Sequence, residues 1–184
     1  GEDPSDSTSI TPKRPPVKKD KFTVGVPREY YVSELSSHML GVWKEGIARL
    51  KARGCKVVEM SLPNTQHALS AYYIIASAEA SSNLARYDGV RYGFRSTEGE
   101  TIKASYTHTR TEGFGEEVKR RIMLGTYVLS RKAYDSYYKK ALEVRRLVSD
   151  DFSRAFEDID AILTPTSPTP AQSISALLAY PDPS

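Results

Sequence analysis

Residues 72–93, YYIIASAEASSNLARYDGVRYG, decide how the chain is read. The first two-thirds is a helix of small and apolar residues. Ala71, Ala76, Ala78 and Ala80, with Ser77, Ser81 and Ser82, allow a neighbouring backbone to come close. Tyr72, Glu79 and Asn83 nevertheless fall on one stripe, with Glu79 and Asn83 each within about 20° of Tyr72 at 100° per residue. A polar stripe on a tightly packed helix needs partners. Either it forms an internal hydrogen-bond network that fixes the loop after it, or it is one wall of a polar ligand site. The loop that follows, RYDGVRYGFR (86–95), alternates arginine with aromatic residues and turns at Gly89 and Gly93.

Outward from that stretch, the N-terminal side reads as α/β. FTVGV (22–26) is a strand, and Pro27 ends it. Ser33 can cap a helix over 34–53 with Leu35, Met39, Trp43, Ile47 and Leu50 on its apolar face. Gly54 stops it, and CKVVEM (55–60) is the next strand. Strand, helix and strand in so short a span make a βαβ unit with parallel strands. Pro63 and Asn64 turn the chain into a helix over 66–85.

On the C-terminal side, 98–111 is weakly helical, and Glu112–Gly115 breaks it. A helix over 116–130 buries Val118, Ile122, Gly125 and Leu129. In its basic triplet, Arg120 points away from that face, Lys119 lies about 90° from it, and Arg121 only about 70°. Arg121 can therefore reach around a packed edge. A long helix over 134–157 carries Tyr137, Ala141, Val144, Val148, Phe152 and Phe156 on one side. IDAILT (159–164) is a buried strand, followed by the proline-rich TPTSPTP. Residues 1–20, rich in Ser, Pro, Asp and Lys, read as a linker or surface loop.

Composition excludes several classes. The chain of 184 residues has a net charge of +3, too small by itself to argue for nucleic acid. Cys55 is the single cysteine, so no intrachain disulfide and no cysteine metal cluster can form. His38, His67 and His108 are scattered without metal-ligand spacing, and no metal site is expected. No apolar run is long enough to span a membrane. There is no G-x-S-x-G elbow and no phosphate loop. Ser81 and Ser82 lie in a small-residue helix, and Cys55 lies in a strand. Glu116–Glu117 and Asp150–Asp151 read as solvated charges at helix turns. The residues offer a polar stripe, an edge-placed arginine and an arginine-rich loop, with no nucleophile beside a base.

Taken as whole segments, YYIIASAEASSNLARYDGVRYG, TRTEGFGEEVKRRIMLGTYVLS (109–130), YDSYYKKALEVRRLVSDDF (134–152), DAILTPTSPTP (160–170) and DPSDSTSI (3–10) resemble the amidase signature family. The likeness is to its branch of glutaminase subunits, the A subunits of glutamyl-tRNA(Gln) amidotransferases. The resemblance implies a mixed β-sheet covered by helices, incomplete here, with 21–184 forming part of an amidase domain. It implies hydrolysis of glutamine to supply ammonia for converting Glu-tRNA(Gln) to Gln-tRNA(Gln). The implied partners are the B and C subunits, with Glu-tRNA(Gln) handled mainly by the B subunit. ATP and Mg2+ are expected in that partner, and no cofactor in this one. A bacterial cytoplasm, plastid or mitochondrial matrix would be the setting.

In the family, the catalytic groups are a lysine, a cis-serine and a nucleophilic serine. They are expected upstream of this chain, which would then be inactive alone. Two family positions that touch glutamine match Tyr72 and Arg121, which leaves Glu79 and Asn83 as structural support for the loop to Gly93. The family's acid for the substrate amino group would follow Ser184, so Asp182 does not take its place. The alternatives are another amidase-signature hydrolase, or a non-catalytic assembly or tRNA-contacting module suggested by the basic runs 119–121 and 139–146.

Overall fold

The computed structural model describes residues 2–11 and 21–179. The part of the expected linker at 12–20 and the tail at 180–184 lie outside the described residues. Residues 2–11 are a loop tied by its own aspartates: the Asp3 and Asp6 side chains accept from the backbone N–H groups of Ser5 and Thr8, each at 2.9 Å.

The sheet begins with β1 (Thr23–Pro27) and β2 (Lys56–Met60), parallel in the register Thr23↔Lys56 to Pro27↔Met60. Helix α1 (Ser37–Ala52) crosses between them. Its cap is Ser36, not Ser33: the Ser36 hydroxyl accepts the Met39 N–H at 3.2 Å. The chain from Val32 first makes a separate turn, closed by Leu35 N–H to the Val32 carbonyl, so the helix starts one turn later than its apolar pattern. Trp43 is the buried residue of α1, and Tyr31 stacks on it at 4.2 Å.

The third strand, β3 (Ala161–Ile162), pairs with the other side of β1, giving the order β2–β1–β3. It is far shorter than the expected 159–164, because Pro165, Pro168 and Pro170 follow and cannot donate to a ladder. Asp160 fixes the pairing: its carboxylate accepts the Thr23 N–H at 2.9 Å, and its own N–H reaches the Thr23 carbonyl at 2.8 Å. All three described strands are parallel, so the mixed sheet expected from the resemblance is parallel over this portion.

The other described helices are α2 (Ala68–Asn83), α3 (Ile102–Gly113), α4 (Glu116–Val128) and α5 (Lys140–Asp158), with a short α6 (Ile174–Ala179) at the end; α2 packs against both α4 and α5. The expected long helix over 134–157 is divided: Tyr134–Lys139 form a π-helical turn, and the regular helix begins only at Lys140. Ala71, Ile75 and Ala141 form the buried centre of the α2–α5 contact, with Ile74, Leu142 and Val144 packed against it.

Two carboxylates grip the connector from β2 to α2. Glu29 accepts the Ser61 hydroxyl and the Leu62 N–H, the latter at 2.9 Å. Asp151 accepts the Asn64 N–H at 2.8 Å, the Asn64 side-chain amide at 3.1 Å and the Arg154 guanidinium at 2.6 Å. Leu62 between them is fully buried. Asp151 is thus a buried structural acid, contrary to the solvated role expected for Asp150–Asp151. Only Asp150 is exposed. A stripe on α5 faces the connector, and the charge pattern alone does not show that a donor waits there.

Candidate functional site: the α2–α4 seam

The small residues of α2 do what their sizes allow. Gly125 of α4 lies against the backbone of Ser77, where a Cβ would overlap the Ser77 carbonyl and the Ser81 side chain. Ser77 and Ala78 are buried at 1% and 2% exposure. The seam is closed by a hydrogen bond between the Ser81 and Thr126 hydroxyls at 2.9 Å, and Thr126 also donates to the Ile122 carbonyl at 2.8 Å. Ser81 therefore has a hydroxyl for a partner. Among the described residues, no serine, threonine or cysteine hydroxyl or thiol is hydrogen-bonded to a lysine or histidine side chain, the pairing that activates a nucleophile.

The direction of α4 follows from contacts at both ends. Phe114, just before α4, meets Tyr87, just beyond α2, at 6.5 Å. Tyr127, near the end of α4, meets Tyr137 at 6.0 Å, and Tyr137 lines a cleft with His67, Ser70, Ala71 and Ile74 at the start of α2. The two helices are antiparallel. Tyr72 and Arg121 consequently approach the seam from opposite ends. Counted from the Gly125–Ser77 contact, their Cα positions are separated along it by roughly 14 Å at 1.5 Å per residue. Among the described residues, no hydrogen bond or ring contact joins their side chains. The Tyr72 ring is 54% exposed and packs on Tyr73 at 5.5 Å.

Arg121 lies on the flank of α4, one turn before Gly125. Its side chain is 43% exposed, against 70% for Arg120, the order that helix geometry gives. Both arginines use the carboxylate of Glu117: Arg121 Nε donates at 3.2 Å and Arg120 donates at 2.6 Å. Lys119 pairs with Glu116 at 2.7 Å, which holds the Glu116 carboxyl below its usual range. Arg121 thus has an exposed partner that an incoming carboxylate can replace.

Glu79 and Asn83 are exposed, and among the described residues their side chains have no hydrogen-bond partner. The loop to Gly93 is held from α3 instead. Arg110 donates to the carbonyls of Leu84 and Tyr87, both at 2.9 Å, and its guanidinium lies 4.9 Å from the centre of the Phe114 ring. Sequence reasoning missed Arg110. The available signal was its place in TRTEGF, between a helix face and the aromatic Phe114, where a guanidinium can both stack and donate.

A family model described as Amidase matches residues 1–183. The chain is 55% identical over 177 residues to the A subunit of glutamyl-tRNA(Gln) amidotransferase from Caulobacter sp. (strain K31), covering 93% of this chain and 36% of that protein. The protein of the same name from Halothermothrix orenii is 50% identical, with 93% and 37% covered. Among solved structures, the A subunit of glutamyl-tRNA(Gln) amidotransferase from Thermotoga maritima aligns with a TM-score of 0.60 at 33% identity, over 95% of this chain and 34% of that one. A crystal structure of an amidase aligns at 0.62 with 23% identity, over 86% and 31%, a likeness of fold. The chain spans little more than a third of the length of these relatives.

Proposed function

The chain belongs to the amidase family, and on that premise we propose that it is part of the glutamine-hydrolysing subunit of an amidotransferase that converts Glu-tRNA(Gln) to Gln-tRNA(Gln). The observation that carries the reading is the identity of half or more, over nearly the whole chain, to proteins named as the A subunits of glutamyl-tRNA(Gln) amidotransferases. The described residues contribute substrate binding rather than bond breaking. Arg121 takes the α-carboxylate of glutamine, because a guanidinium presents a planar fork of donors to it. Its exchange from Glu117 keeps the cation paired in both states. Tyr72, exposed at the other end of the seam, supplies a phenol to the remainder of the substrate. A lysine and two serines outside this chain supply the hydrolysis, and B and C subunits use the ammonia with ATP and Mg2+.

The tRNA-contacting alternative loses support in the triplet 119–121. Each of its cations is paired within α4 to Glu116 or Glu117, so the triplet presents little free positive charge to a phosphate backbone. The general amidase alternative predicts hydrolysis of simple amides that lack an α-carboxylate. The two enzyme readings separate in one assay, in which the full-length protein in complex with its B and C partners is offered glutamine or a neutral amide. The proposal expects ammonia from glutamine and transfer to Glu-tRNA(Gln). A preference for the neutral amide would overturn it.

A further inference from the structure

The loop beyond Gly93 returns to α3 and gathers three metal-ligating side chains away from the α2–α4 seam. Glu98 belongs to the loop. His108 and Glu112 lie four residues apart on α3 and so share a face. His108 Nδ1 is 3.3 Å from Glu98 Oε2 and 4.0 Å from Glu112 Oε1. One ligand atom from each of the three lies within 4.8 Å of the others. In a tetrahedral zinc site with bonds of about 2.0–2.1 Å, neighbouring donors are about 3.3 Å apart. The His108–Glu98 spacing already has that length, and the Glu112 oxygen, 4.0 Å from His108 and within 4.8 Å of the Glu98 ligand atom, needs to close by about 0.7–1.5 Å on the same scale.

A buried serine ties the Glu112 carboxylate to the Glu98 backbone. Ser96, 5% exposed, accepts the Glu98 N–H at 3.2 Å and donates its hydroxyl to Glu112 Oε1 at 2.9 Å. Its own N–H donates to Thr109 Oγ1 at 3.1 Å. An outer hydrogen bond of this kind orients the Glu112 carboxylate, while the Glu98 contact fixes only its backbone. The arrangement also brings two like charges to one imidazole nitrogen, which can satisfy only one of them with a proton. A divalent cation satisfies all three donors.

We propose that Glu98, His108 and Glu112 form a binding site for a borderline divalent transition-metal cation, with water completing the shell and the cation clipping the 96–100 loop to α3. An imidazole among few ligands favours zinc over magnesium or calcium, which take more oxygen donors. The signal in the sequence is His108-x3-Glu112, a helical pair invisible when histidines are compared only with one another. This site does not depend on the glutaminase reading.

The test is calorimetric titration of Zn2+ into the untagged protein, with Mg2+ in parallel. The expected result is saturable one-site binding of Zn2+ of micromolar order, with Mg2+ at least tenfold weaker. Binding should weaken by about tenfold or more in His108→Ala and in Glu98→Gln. Glu98→Gln changes an exposed loop residue, so it keeps the fold if His108→Ala does not. Cobalt supplies a second reading, with a visible spectrum of low-coordinate Co2+ in the parent that is lost in Glu98→Gln. Unchanged Zn2+ affinity in Glu98→Gln, or no saturable binding up to millimolar Zn2+, would overturn the proposal.

Discussion

Asp151 and Glu29 show how a carboxylate can be made structural by what surrounds it. Burial raises the Asp151 carboxyl, but donors from Asn64 and Arg154 outweigh it and hold the group below its ordinary value. Replacing Asp151 by alanine leaves the Asn64 N–H and side-chain amide without their acceptor. We expect a loss of about 3 kcal/mol, read as a lower urea midpoint at unchanged slope. Glu29 responds in the same sense. Desolvation raises it, yet hydrogen bonds from Ser61 and from the Leu62 N–H bring it from 4.5 to about 2. A group whose folded pKa is depressed stabilises fully above its unfolded pKa and loses that contribution as pH falls through the folded one. The stability advantage of the parent over Glu29→Gln should therefore be full above about pH 4.5 and shrink toward pH 2. Thermal unfolding across that interval reads it, and a difference independent of pH would remove Glu29 from the acid transition.

At the scale of elements, the α2–α4 seam rests on side chains that are absent as much as on those present. A methyl group at Gly125 meets the Ser77 backbone, so Gly125→Ala should cost about 1–3 kcal/mol and lower the melting temperature by several degrees. Gly46 of α1 has open space around it, and Gly46→Ala should stabilise by about 0.5–1 kcal/mol. Opposite signs from the same change, measured by calorimetry, separate close packing from helix propensity. The helices and the first two strands were legible because periodicity and punctuation agreed. The one-turn delay of α1 was not, since Ser33 and Ser36 are equally good caps and a local turn at Val32–Leu35 decides between them. The π turn at Tyr134–Lys139 also left no trace in the apolar pattern, which runs through it unbroken. Glu79 and Asn83 share a stripe with Tyr72, but periodicity fixes only direction. The loop they were expected to support is held by Arg110.

At the scale of the molecule, the described residues pair three strands in parallel and bring α2 and α4 together in a seam that presents Arg121 and Tyr72. The family was legible because the matching segments are long and run in order through the chain. The proposal of Tyr72 and Arg121 as ligand-binding residues rests on that resemblance alone, since the two lie at opposite ends of an antiparallel seam and no spacing rule joins them. In the proposed function, Arg121 receives the α-carboxylate of glutamine. The most direct measurement is steady-state glutaminase kinetics of the full-length protein in its complete amidotransferase, comparing Arg121→Ala with the parent. A charge-assisted bidentate contact worth about 2–3 kcal/mol predicts a 30- to 150-fold fall in kcat/KM, carried mainly by KM, with Arg121→Lys between the two. An unchanged KM for glutamine in Arg121→Ala would contradict that role for Arg121.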